Sequence, residues 1–125
     1  MATFTTGLIT NTRATGSAAS NIVVSARNLS NASATIVVEV FGVPGSAPAL
    51  TPLYVTGYIL PALSSDIRTF FIAGNVSYEV QYSITSTLTQ VAMSTYGIDE
   101  FGNLVTEQRV LHSELTPTNG LTIPV

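Results

Sequence analysis

The residues able to do chemistry are few in this chain of 125 residues. His112 is the single histidine and lies in "RVLHSEL", next to Ser113. Serine, histidine and a carboxylate can form a nucleophile, its base and an orienting acid, but nothing in the sequence marks a nucleophile elbow. With 13 serines in the chain, chance pairings are expected, and His112 reads as a strand-end residue, exposed or hydrogen-bonded to a carbonyl. Asp99, Glu100 and Asn103 could offer oxygens to calcium, but their spacing departs from an EF-hand loop, and Asp and Asn favour turns on their own account. The other carboxylates, Glu39, Asp66, Glu79, Glu107 and Glu114, are scattered along different segments and form no glycosidase-type pair. Tyr54, Tyr58, Tyr78, Tyr82 and Tyr96 could line a sugar groove, although at alternating strand positions such residues serve a core or a sheet face. Three sequons, at Asn28, Asn31 and Asn75, arise readily in Asn- and Ser-rich turns. No catalytic, cofactor-binding or metal-ligating set is assigned; the chain is not read as an enzyme, and no cofactor is expected.

Charge narrows the choice of partner. Charged residues make up 9% of the chain, against about 25% in ordinary soluble domains, and lysine is absent. Arg13, Arg27, Arg68 and Arg109 are widely spaced in a chain of net charge -3, so no stripe exists to neutralise nucleic-acid phosphates. No basic amphipathic segment suits a membrane surface, and no apolar run approaches the roughly 20 residues of a membrane helix. With no cysteine, the chain has no disulfides or thiolate chemistry. Its 13 serines and 18 threonines give it a hydroxyl-rich surface. Two readings fit this composition, a small hydroxyl-rich β domain held soluble by its net charge and a surface covered largely by other subunits; edge strands are usually defended by lysine, which favours the second. The opening residues lack the basic and apolar regions of a secretory leader, so synthesis in the cytoplasm is expected.

The elements that must position these residues are strands. In "SYEVQYSIT", Tyr78, Val80, Tyr82 and Ile84 alternate with polar residues. In "ATIVVEVFG", Ile36, Val38 and Val40 share one face. Those residues, with Val91 and Met93, are the expected core. Strands are expected near 3–10, 21–27, 34–41, 53–60, 66–72, 77–85, 90–97 and 104–111, separated by turn-forming clusters. The reading is all-β: an eight-stranded β-sandwich of jelly-roll or Greek-key type with an extended N-terminal arm. Residues 1–11 are the arm, 12–20 a flexible connector, 21–115 the sandwich, and 116–125 an extended C-terminal tail. In the loop Asp99–Asn103, Gly102 and Asn103 tolerate the positive φ that such a turn needs.

"TGLITNTRATGS", "LYVTGYILPALSSDIRTFFIAGNVSYEVQYSITS" and "AMSTYGIDEFGNLVTEQRVLHSEL" resemble small spore-associated β-proteins of Bacillus- and Paenibacillus-like bacteria, and the architecture looks like that of endospore appendage subunits. The resemblance implies a jelly-roll domain that polymerises by placing its N-terminal arm on the next subunit. Its best-known members cross-link the arm through cysteines, which this chain lacks. Strand pairing and burial would then hold the fibre through Phe4, Thr6, Leu8 and Ile9, with Thr15, Gly16 and Ser17 as the hinge. The implied partners are copies of itself and other spore-surface proteins, with no nucleic acid or membrane. The implied location is a spore surface or an extracellular fibre. The alternative from the sequence is a jelly-roll module that binds a carbohydrate or a receptor.

Overall fold

A computed structural model describes residues 2–45, 49–85 and 90–122. The middle of the Gly42–Pro52 loop and the end of the C-terminal tail lie outside the described residues. The strands are β1 (Ala2–Thr5), β2 (Ile9–Thr10), β3 (Asn21–Asn28), β4 (Ala34–Pro44), β5 (Thr51–Leu60), β6 (Ser65–Phe71), β7 (Asn75–Thr85), β8 (Val91–Ile98), β9 (Leu104–Val110) and β10 (Thr116–Thr118). One 3-10 turn, His112–Glu114, precedes β10. All expected strands are present. The expected strand over 3–10 is split in two, and the tail contributes β10.

Two antiparallel sheets face each other. One has the order β10-β1-β7-β4-β5, with β2 also on β7; the other has the order β6-β3-β8-β9. Period-two patterning places one face of each sheet in a shared core. Across the first sheet, Ile36 pairs with Ile84, Val38 with Tyr82, and Val40 with Val80. Opposite them stand Ile22, Val24 and Ala26 of β3, Phe70 of β6, and Val91 and Met93 of β8. All nine residues expected in the core are buried.

The N-terminal segment, expected as an arm, lies against the body within the single chain. In this chain it is a strand of its own sheet: Phe4 opposes Tyr82, and Ile9 opposes Tyr78. The four-residue step from Thr5 to Ile9 spans only the three-residue step from Gln81 to Tyr78, so the edge carries one extra residue there. Gly7 takes φ +70° at this bulge, a conformation open to glycine at little cost. Because one extra residue reverses which face each side chain meets, Ile9 packs against the core while Leu8 faces solvent. β1 is also closed on its outer side, where Phe4 opposes Pro117 of β10. Pro117 fits this short edge strand because an edge residue need not donate to a further ladder.

The tyrosines of β7 reach across the sandwich. The Tyr82 hydroxyl meets the Thr95 hydroxyl on β8, and the Tyr78 hydroxyl donates to Gln108 Oε1 at 2.8 Å. Gln108 has room because Gly97 lies beneath it; a Cβ at position 97 would stand 2.0 Å from Gln108 Oε1. Gly97→Ala is therefore expected to push Gln108 from its hydrogen bonds and to cost about 2–3 kcal/mol. Urea denaturation followed by tyrosine fluorescence measures the loss.

Candidate functional site

The residues with chemical potential do not gather. His112 Nδ1 accepts a hydrogen bond from the Met93 backbone N–H at 3.2 Å, and its ring meets Phe4 edge-on with centroids 5.2 Å apart. It is thus a strut between β8 and β1, held by a backbone donor rather than by the expected carbonyl. Asp99 Oδ1 accepts from the backbone N–H groups of Phe101 and Asn103, each at 2.9 Å. Glu100 accepts from Arg13 Nη1 at 2.9 Å. Gly102 takes the positive φ in this turn, and Asn103 does not. Among the described residues, no group of three His, Asp or Glu side chains is arranged to hold a metal ion.

The tyrosines disperse as well. Tyr78 and Tyr82 are fully buried, and burial pushes both phenols above their ordinary pKa. Tyr54 donates to the Phe71 carbonyl at 2.8 Å. Tyr58 lies under the Arg68 guanidinium, which stands 3.9 Å from the ring centroid. Burial, reinforced by Asp66, pushes the Tyr58 phenol up to about 12. Tyr54 and Tyr58 thus pack against the core that holds Tyr78 and Tyr82, while Tyr96 lies apart on β8. Of the sequon asparagines, Asn28 and Asn75 are buried. Asn28 has its amide spent on the carbonyls of Ala32, Leu60 and Pro61.

The polar side chains that do converge bind the N-terminal segment to the body. Asn11 is fully buried. Its Nδ2 donates to the carbonyls of Ala19 and Asn75, both at 3.1 Å, and its Oδ1 accepts from the Ala19 N–H at 2.7 Å. Gln108 Nε2 donates to Asn11 Oδ1 at 2.9 Å and to the Thr10 carbonyl at 3.0 Å. Residues 12–18 therefore form a loop pinned at its base, with Thr12 bridged to Ser17. The connector expected over 12–20 falls on this loop. Thr15 and Gly16 are exposed on that loop, and the Thr15 carbonyl accepts from Arg13 Nε at 2.6 Å. Of the expected arm contacts, Phe4 and Ile9 pack on the core. The Thr6 hydroxyl accepts from the Val80 N–H at 3.0 Å, whereas Leu8 contributes an exposed side chain. Sequence reasoning missed Asn11 and Gln108, since a single Asn and a single Gln in hydroxyl-rich strands carry no periodic signal.

A second polar feature lies on the outer face of the first sheet. There Gln81 holds the C-terminal tail at two points: its Oε1 accepts from the Thr122 N–H at 2.8 Å, and its Nε2 donates to the Thr122 hydroxyl at 2.9 Å. Glu39 pairs across the ladder with Gln81. It is only 5% exposed, and its Oε1 has no hydrogen-bond partner among the described residues.

Comparison with protein-family models, curated proteins and solved structures finds no match.

Burial raises the Glu39 carboxyl above its ordinary value of 4.5. The folded chain then holds this proton more tightly than the unfolded chain, so stability is greatest below the unfolded-state value and falls as pH rises through the folded-state value. Glu39→Gln removes the buried charge. It is expected to stabilise the protein by about 1–2 kcal/mol at pH 7, with the gain fading toward pH 4. Denaturation midpoints across that range test this, and a gain that persists undiminished in acid would refute the assignment.

Proposed function

We propose that the chain is a structural subunit that assembles with copies of itself into a fibre on a spore or cell surface, each N-terminal strand filling the slot of a neighbour. On this reading the Greek-key or jelly-roll sandwich is the body, residues 2–11 travel, and the Thr12–Ala18 loop straightens to span the two bodies. The observation that carries the reading is how the N-terminal segment is held. It is inserted between β7 and β10, and its ladder bonds, the Phe4 and Ile9 contacts and the Asn11 docking all lie on surfaces that every copy presents.

Such an exchange replaces each intramolecular contact by the same contact between copies, which is the low-cost route of domain swapping. Phe4 and Ile9 each contribute roughly 1.5–3 kcal/mol on full burial, before ordering costs. That contribution repeats at every subunit contact and needs no cysteine. The low charge of the chain favours close approach, since no dense like-charged surface holds copies apart. The dispersed tyrosines leave the alternative, a carbohydrate- or receptor-binding module, with no specific observation in its favour.

Thr3 and Ser83 are directly paired across β1 and β7, and the chain has no other cysteine to confuse a cross-link. In the double variant Thr3→Cys, Ser83→Cys, an exchanged strand is expected to give a ladder of covalent oligomers on oxidation and non-reducing electrophoresis. A strand kept at home gives only covalent monomers. Negative-stain microscopy of the same samples separates the two ways of failing. Filaments with covalent monomers would mean that other contacts build the fibre, and single particles would mean that no fibre forms.

A further inference from the structure

We propose that β6 is a second contact between copies, pairing antiparallel with the β6 of another chain about a two-fold axis at Ile67. The two would join their four-stranded sheets into one continuous sheet. The proposal rests on the reading of the chain as a self-assembling subunit, but it does not depend on strand exchange.

β6 is the outer strand of its sheet, with β3 on its other side. The direction of its main-chain groups follows from its ends. The Ser64 carbonyl accepts from the Asn28 N–H at 2.9 Å, and the Ile72 N–H donates to the Ser20 carbonyl at 2.8 Å, so even-numbered residues address the β3 side. The Phe71 carbonyl points the other way and accepts from the Tyr54 hydroxyl. Ser65, Ile67 and Thr69 therefore direct their N–H and C=O groups outward from the sheet. Among the described residues this edge has no lysine, proline or bulge, and its one outward carbonyl with a side-chain partner is that of Phe71. Ile67 is 71% exposed, and Phe71 and Leu63 are each 62% exposed.

The side chains specify a partner and a register. With Ile67 opposite itself, Ser65 faces Thr69 of the second copy, and both pairs belong to the hydrogen-bonded class in which two residues exchange both main-chain bonds. Asp66 then faces Arg68 of the second copy, and Arg68 faces its Asp66. These are non-hydrogen-bonded pairs, whose side chains lie closest together. Within one chain, Arg68 Nε already donates to Asp66 Oδ2 at 2.8 Å, and both side chains keep part of their surface exposed. Joining two copies would turn two ion pairs into an alternating four-charge cluster. The same register brings exposed Phe71 toward exposed Leu63 of the second copy. A shift of one residue places Ile67 against a charged residue of the other copy and breaks the reciprocal Asp–Arg match. The other edges are β5, β9 and β10: β5 and β10 contain no charge to fix a register, and β9, whose Glu107 and Arg109 repeat the spacing, meets β8 through a shifted, irregular register of the kind that guards an edge. Charge complementarity thus selects a second copy of this chain, bound through β6.

The test is a cysteine scan of the full chain, which has no cysteine of its own. Across a hydrogen-bonded antiparallel pair the Cα atoms stand about 5.5 Å apart, within the span of a disulfide. Ile67→Cys is expected to oxidise to a covalent dimer at micromolar concentration. Thr69→Cys alone should not, while a mixture of Ser65→Cys and Thr69→Cys should give the mixed dimer. By sedimentation, Asp66→Arg should weaken the dimer at least about tenfold by setting like charges opposite each other, and adding Arg68→Asp should restore it. An Ile67→Cys chain that stays monomeric, or a Thr69→Cys chain that dimerises as readily, would overturn the proposal. So would failure of the charge swap to rescue. A cross-linked Ile67→Cys dimer alongside a Thr3→Cys, Ser83→Cys chain that closes only on itself would leave this contact standing and strand exchange refuted.

Discussion

The fold depends on a small polar cluster at one end of a sandwich that is otherwise apolar and hydroxylic. Asn11 and Gln108 satisfy each other and the groups around them, including the carbonyls of Thr10, Ala19 and Asn75 and the Tyr78 hydroxyl. A buried polar network stabilises only when its members are paired, because each orphaned member carries the full cost of lost hydration. This network joins the N-terminal segment, the residues leading into β3, and strands β7 and β9. It also requires a residue without a side chain at position 97. Closure of β1 and β2 onto β7 is anchored at Asn11.

Glu39 shows the opposite condition. It sits beside Gln81 on the outer face of the first sheet, buried and partly unpaired, in a chain with very few carboxylates to place. Its neighbour Gln81 is occupied by Thr122 and Glu79. A charge in that position costs stability at neutral pH. Where a protein has so little charge, the position of each charged group matters more: Glu39 lies under cover, Arg13 is spent on Glu100, and Asp66 and Arg68 stand at an open edge.

Much of the architecture was legible because period-two patterning is a local signal. Tyr78, Val80, Tyr82 and Ile84 declare a buried face without reference to any other strand, as do Ile36, Val38 and Val40. What was not legible depends on partners distant in sequence. "TFTTGLIT" reads equally well as a strand in its own sheet or in a neighbour's, since ladder bonds are blind to which copy supplies them. The extra residue at Thr6–Leu8 turns Leu8 outward, and no pattern of residue types reveals a bulge before its partner strand is known. Asn11 lies in a stretch whose small residues and glycine suggest a loose connector. Its anchoring role emerges only when Ala19, Asn75 and Gln108 meet it. No motif surrounds His112, and the Met93 N–H it accepts from cannot be read from "RVLHSEL".

The anchoring network also bears on how a strand of this kind could serve two states. The home and exchanged arrangements make the same ladder bonds, so their balance is set by the strain in the 12–18 loop and by the concentration of copies rather than by new contacts. In the home arrangement the loop is closed by the Thr12–Ser17 bridge and by the Arg13 bond to Thr15, and both can be given up at an exposed position for little cost. The barrier lies elsewhere: withdrawing the segment takes Asn11 from Ala19, Asn75 and Gln108, and leaves Gln108 Nε2 without the Asn11 and Thr10 oxygens until another segment arrives. On the proposed reading, such a subunit would be held closed kinetically while dilute. An edge such as β6, which pairs without opening anything, would raise the local concentration of copies before any strand leaves its slot.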